Sequence, residues 1–248
     1  MRPTPRRTTS RSRPGTRSRQ IAAERRRLGD AVLLPLDNEL RAERNRLLRT
    51  LDALPDEVFE AGPTLCAGWS PRDVLGHLIG VDHPLNSYRP WLCLAAANDR
   101  QVRRVRHMSR HRLMAEAREW AKHPAWSSRL VSLIALGDLA VHHQDIVRGI
   151  GLDREIPPSV PSFILWDGAM LSSHSNLRIF NYRVIPTDGH PPLGSPGFLR
   201  CTEVLGTREA LGMWLSGRDA VIPELRFNPN GPLQRKDHCN GAHRRASR

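Results

Sequence analysis

The 248-residue chain suits one domain of ordinary size, and its 39% hydrophobic and 25% charged residues exclude a fibrous or wholly disordered protein. Its net charge of +13 sits at the ends: residues 1–29 hold ten Arg against Glu24, residues 235–248 hold five basic residues against Asp237, and residues 30–234 carry no formal net charge. A neutral core lacks the basic stripe of a specific nucleic-acid-binding domain, and Arg-rich tails attract polyanions without sequence preference.

No run approaches the ~18 apolar residues of a membrane span. The N-terminal stretch lacks the apolar segment of a secretory signal, since its first apolar run, residues 31–36, ends at Pro35-Leu36. A soluble cytoplasmic protein is expected, with residues 1–29 read either as a disordered tail or as residues ahead of the true start. Cys66, Cys93, Cys201 and Cys239 form no C-x-x-C pair, which argues against a zinc knuckle and against a disulfide scaffold.

In chain order, Leu36, Leu40, Leu47, Leu48, Leu51 and Leu54 recur at three and four and predict an amphipathic helix over 36–54, stopped by Pro55. A loop is expected over 56–68. The next helix, 71–82, has the clearest start: Ser70 as N-cap, Pro71 at the first helical position, Asp73 completing a capping box, and Trp69 and Val74 in the staple positions. Pro84 and Pro90 bend or interrupt whatever helix follows through 91–97. A basic helix is expected over 102–122 with Leu113, Met114, Ala117 and Trp120 inward, then the most apolar long segment over 129–149, stopped by Gly149 and Gly151. A helix over 158–175 carries Val160, Ile164, Leu165 and Met170. Residues 177–184 read as strand, 186–197 as a Gly/Pro-rich loop, and 203–216 as a last helix ending at Gly217. The sum is a mainly α protein: a helical bundle over 30–175, a small mixed extension over 176–234, and a second disordered tail over 235–248.

Two residues stand out on the apolar segment. Asp138 and His142 are four apart and share one helix face, so together they can grip one metal ion. On the earlier helix His77 lies at the edge of the stripe marked by Val74 and Val81 and can face inward. Two imidazoles and a carboxylate suit zinc, or iron, nickel or cobalt in other geometries, and leave a position for water or substrate. Spacing alone leaves the alternatives open: a helical histidine is commonly a hydrogen-bonded core or surface residue, His143 with Asp145 reads as a surface ion pair, Asp73 as a cap, and Cys66 as a small buried hydrophobe.

The segment Thr64-Leu-Cys-Ala-Gly-Trp-Ser-Pro-Arg-Asp-Val-Leu-Gly-His77-Leu resembles the T-x-C-x-G-W-[ST]-x-x-D-[VL]-x-x-H-L opening of the second helix in the mycothiol-dependent maleylpyruvate isomerase family. Gly137-Asp-Leu-Ala-Val-His142-His-Gln-Asp145-Ile-Val-Arg-Gly-Ile-Gly151 is similar to that family's G-E-x-x-V-H-x-x-D-[IV]-x-R-x-x-G run, and the end of the last helix up to Arg218 to its A-L-x-x-x-L-x-G-R ending. The resemblance implies a DinB-like four-helix bundle with a small α+β extension. It implies a divalent metal, zinc first, on His77, Asp138 and His142, and mycothiol as a thiol that coordinates it. A small maleyl-type electrophile would be isomerised by thiolate addition, bond rotation and elimination, or kept as a thiol adduct by an S-transferase. Arg218 would anchor a substrate carboxylate, or cap the carbonyls of its helix.

One departure matters. The family has Glu where this chain has Asp138, and one methylene fewer withdraws the carboxylate by roughly 1.5 Å, so the helix must shift or water must bridge. With the short C-terminal region, this keeps two other readings in play: a bundle that binds or regulates without catalysing, and a nucleic-acid-associated protein acting through its basic tails.

Overall fold

The structure, a computed structural model, describes residues 34–82, 94–153, 155–195 and 201–229. Both basic tails, the segment holding Pro84 and Pro90, Cys93 and Cys239 lie outside these residues. The described chain is mainly helical with a small four-stranded sheet near its end.

Helix α1 (Asp37–Asp52) buries Leu40, Leu47, Leu48 and Leu51 as its periodicity predicts. The expected loop holds a short helix α2 (Asp56–Ala61), started by Pro55 with Asp56 and Glu57 in its first turn and anchored by the buried Phe59. Helix α3 (Pro71–Val81) begins with the expected capping box, in which Ser70 Oγ accepts from the Asp73 amide and the Asp73 carboxylate accepts from the Ser70 amide. The basic stretch is not one helix. Helix α4 (Leu94–Arg106) ends before Ser109, which caps α5 (Arg110–Lys122) by accepting from the Arg112 amide; an internal N-cap restarts the chain in a new direction. The apolar segment likewise breaks at Val131, between α6 (Trp126–Leu130) and α7 (Ser132–Gly149).

The core explains why α7 reads as a long apolar helix without a clear polar face. Its Leu136, Leu139 and Ile146 join a cluster built from α1 to α5, while Ala140 and Val141 join a second cluster built with α8 (Val160–His174) and the C-terminal elements. Buried on opposite faces, α7 has little polar surface to show as amphipathicity. Each fully buried Leu or Ile contributes roughly 1.5–3 kcal/mol. Two buried ion pairs fix the bundle ends: Arg129 with Asp37 at 2.6 Å, and Arg44 with Asp82 at 2.6 Å, the latter guanidinium lying 4.1 Å over the Trp120 ring.

Near the C-terminus the chain makes a helical turn α9 (Arg178–Asn181) and strands β1 (Tyr182–Pro186), β2 (Leu193–Gly194), β3 (Thr202–Gly206) and β4 (Arg226–Asn228), ordered β2-β1-β3-β4. β1 and β3 are parallel, with Val184 opposite Val204, and both outer pairings are antiparallel. Here the expected helix over 203–216 is corrected: its first residues form β3, and α10 (Arg208–Leu215) starts only where Thr207 caps the Ala210 amide. The pairing that makes residues 202–206 a strand comes from β1 and β4, and no local pattern reveals it.

Candidate metal centre

The capping box fixes where α3 begins and so points His77 toward α7. There His77 Nε2 lies 3.8 Å from Asp138 Oδ2, and His142 Nε2 lies 3.5 Å from Asp138 Oδ1. These separations are at or beyond the outer limit of a hydrogen bond. They match the spacing of about 3.4 Å between two atoms that ligate one ion tetrahedrally with bonds of about 2.0–2.2 Å. One donor atom from each of the three residues lies within 4.8 Å of the others. The shorter Asp138 side chain therefore still reaches both imidazoles.

Each imidazole is oriented by its other nitrogen. His77 Nδ1 donates to Gln101 Oε1 at 2.8 Å and His142 Nδ1 donates to Asp145 Oδ2 at 2.9 Å, because the partner oxygens can only accept. With the proton on Nδ1, the lone pair of each Nε2 faces Asp138, the tautomer a metal requires. Gly80 lets Gln101 reach this position, since a Cβ there would overlap the Gln101 side chain. Trp69, held beside α3 by its carbonyl accepting from Thr64 Oγ1, stacks on His142 at 6.2 Å and tilts onto His77 at 5.2 Å.

Behind His142 the order differs from the sequence expectation. His143 and Asp145 form no surface pair: both are buried, His143 bonding Glu43 at 2.8 Å and Asp145 taking His142, Arg218 and Cys66. Arg218 donates through Nε and Nη2 to the two Asp145 oxygens, at 3.0 and 2.7 Å, and through Nη1 to the Ser216 carbonyl. Burial would raise Asp145, but His142 and Arg218 hold it well below the usual carboxylate range. Burial would also raise Asp138, but the charge of His142 and His77 when they are protonated, together with that of Arg218, holds it below that range. Cys66 is pushed up by burial and by Asp145, so its thiol stays protonated and donates to Asp145 Oδ2 at 3.0 Å. Cys66, His142 and Asp145 form a second cluster of potential ligands, but the Arg218 guanidinium lies against two of them and opposes a cation there.

These groups line a cavity of about 530 Å³ between α3, α7 and α8, which Asp167 also faces. Gly137 admits it: a Cβ at that position would stand 2.6 Å from Asp167 Cβ. Asp167 is buried and its Oδ2 has no partner. Burial, and then the charge of Asp138, push its carboxyl up to about 8. A carboxyl raised in the folded state favours the protonated form, so stability is full below the unfolded value of about 3.9 and is lost as pH rises toward 8. Asp167→Asn is expected to abolish this dependence. Urea unfolding of metal-free protein at about pH 5 and about pH 8 should show wild type losing several kcal/mol that the variant keeps, at up to about 1.4 kcal/mol per pH unit.

Gln101, Asp145 and Asp167 are the site residues that sequence reasoning missed. Asp145, three after His142, carried a signal in the i,i+3 spacing; Gln101 and Asp167 stand on other helices and carried none.

No family model and no curated protein matches the chain. Two solved structures match in fold: crystal structures of mycothiol-dependent maleylpyruvate isomerase, one of a histidine-to-alanine mutant at TM-score 0.55 and the other at 0.52. Each is 13% identical to this chain, and each match covers 82% of this chain and 98% of that chain. At that identity the likeness is one of fold, a helical bundle with a small C-terminal sheet. Among the described residues no helix is long and apolar enough to cross a membrane.

Proposed function

We propose that this chain is a metal-dependent enzyme that uses mycothiol on small electrophiles, as an isomerase or a thiol S-transferase. The observation that carries the reading is the convergence of His77, Asp138 and His142, with both histidines held by buried partners in the tautomer that presents Nε2. The donor set fits a divalent ion, zinc first, and three protein ligands leave room for a fourth. Bound there, the ion would lower the pKa of a coordinating thiol, giving a nucleophilic sulfur near neutral pH.

The chain's own residues then have defined tasks. His77, Asp138 and His142 hold the ion, Gln101 and Asp145 keep the imidazoles aimed, and the apolar walls limit water around the sulfur. Cys66, kept protonated by Asp145, supplies no competing thiolate, which supports a nucleophile brought from outside the chain. Arg218 fits the role of fixing Asp145, and through it His142, better than that of a free carboxylate anchor, because Asp145 and Ser216 already occupy its guanidinium. A fold retained for binding or regulation alone would not need both imidazoles held with Nε2 presented.

Cobalt-substituted protein titrated with mycothiol tests the proposal. A sulfur-to-cobalt charge-transfer band should appear in wild type and be absent in His77→Ala. A wild type that binds cobalt but shows neither the band nor thiol-dependent turnover would reject it.

A further inference from the structure

The walls of the cavity narrow its substrate class. Val141 and Leu171 line the interior, and Val131, Ile134 and Met170, exposed by 50%, 43% and 36%, line it where it opens to solvent. Arg218 is the one Arg or Lys among the lining residues, and Asp145 and the Ser216 carbonyl occupy all three of its nitrogens. Asp138 and Asp167 both face the cavity, and Asp167 Oδ2 has no hydrogen-bond partner there.

The lining therefore offers a dianion no uncompensated cation: the charge of Arg218 is already offset by Asp145, and Asn98, Ser127 and Ser128 are neutral. A divalent ion carrying one thiolate is already balanced by that thiolate and Asp138. A substrate with two carboxylates would place both against apolar walls beside Asp138, and an unpaired charge in such a setting costs more than its contacts return. An uncharged molecule with an apolar body meets none of these penalties and gains from the apolar walls.

We propose that the cavity selects an apolar, uncharged α,β-unsaturated carbonyl compound over a dicarboxylate, through the walls of Val131, Ile134, Met170 and Leu171 and the engagement of Arg218 by Asp145. The inference rests on reading the cavity as a thiol-conjugation site. The reaction is an addition: the sulfur bonds to the β-carbon, the electron pair of the double bond takes up the thiol's proton at the α-carbon, and nothing leaves.

Diethyl succinate and succinate share a carbon skeleton, carry no double bond for the thiol to attack and differ in charge, so the pair isolates the claim. Calorimetric titration of zinc-loaded protein saturated with mycothiol should show the diester binding at least about tenfold more tightly than the dianion. Met170→Glu, at an exposed wall position on α8, off the two helices that carry the ligands, should weaken the diester by about tenfold and leave zinc content unchanged; Val131→Glu, about two turns from Asp138, serves the same end should that variant fold poorly. Equal or tighter binding of succinate, or diester affinity indifferent to both wall variants, would overturn the inference. If the protein holds no zinc, the proposed function fails, and the same titrations on metal-free protein still decide between diester and dianion.

Discussion

His142→Ala is expected to lower bound divalent metal from about one ion per chain to below ~0.2 after mild purification. The ion would keep only His77 and Asp138, two protein ligands where such sites use three or four. His142 is buried yet lies beside Trp69 and an open cavity, so truncation should leave the helical circular dichroism intact. Metal analysis of wild type and variant purified side by side checks this. Equal content in both would place any ion elsewhere and remove the basis of the proposed chemistry.

Asp145→Ala is expected to cost about 3 kcal/mol of stability, because it leaves a largely buried guanidinium without its anion. Asp145 is fully buried and takes hydrogen bonds from His142 at 2.9 Å, Arg218 at 2.7 and 3.0 Å, and Cys66 at 3.0 Å. Whatever folds should also bind zinc about 10–100-fold more weakly, since nothing then holds the His142 tautomer. Because His142 and Arg218 keep Asp145 well below the usual carboxylate range, its contribution is full above the unfolded pKa of about 3.9 and fades only as pH falls through the folded value. Urea titrations at falling pH should therefore show the gap between wild type and variant closing below about pH 4. A gap that closes instead between about pH 5 and about pH 7 would assign the linkage to a histidine.

The two expectations draw on different parts of what the chain encodes. Ser70, Pro71 and Asp73 announce the start of α3, the leucines of α1 announce its buried face, and the four-residue step from Asp138 to His142 puts both on one side of α7; each is a regularity within one or two turns. Where neighbouring segments decide, the same reasoning goes astray. Residues 202–206 become β3 because β1 and β4 offer their edges, and Asp145 turns inward because Arg218, 73 residues later, meets it.

By itself the sequence determined the buried face of α1, the capped start of α3 and the shared face of Asp138 and His142, since periodicity and capping act between residues a few positions apart. Only the tertiary structure decided that His77 meets that face, that Gln101 and Asp145 fix the imidazoles, and that Asp167 closes the cavity beside Asp138. The reason is physical: these contacts depend on how closely helices pack, set at points such as Gly80 against Gln101 and Gly137 against Asp167, where a missing side chain on one helix admits a polar one from another.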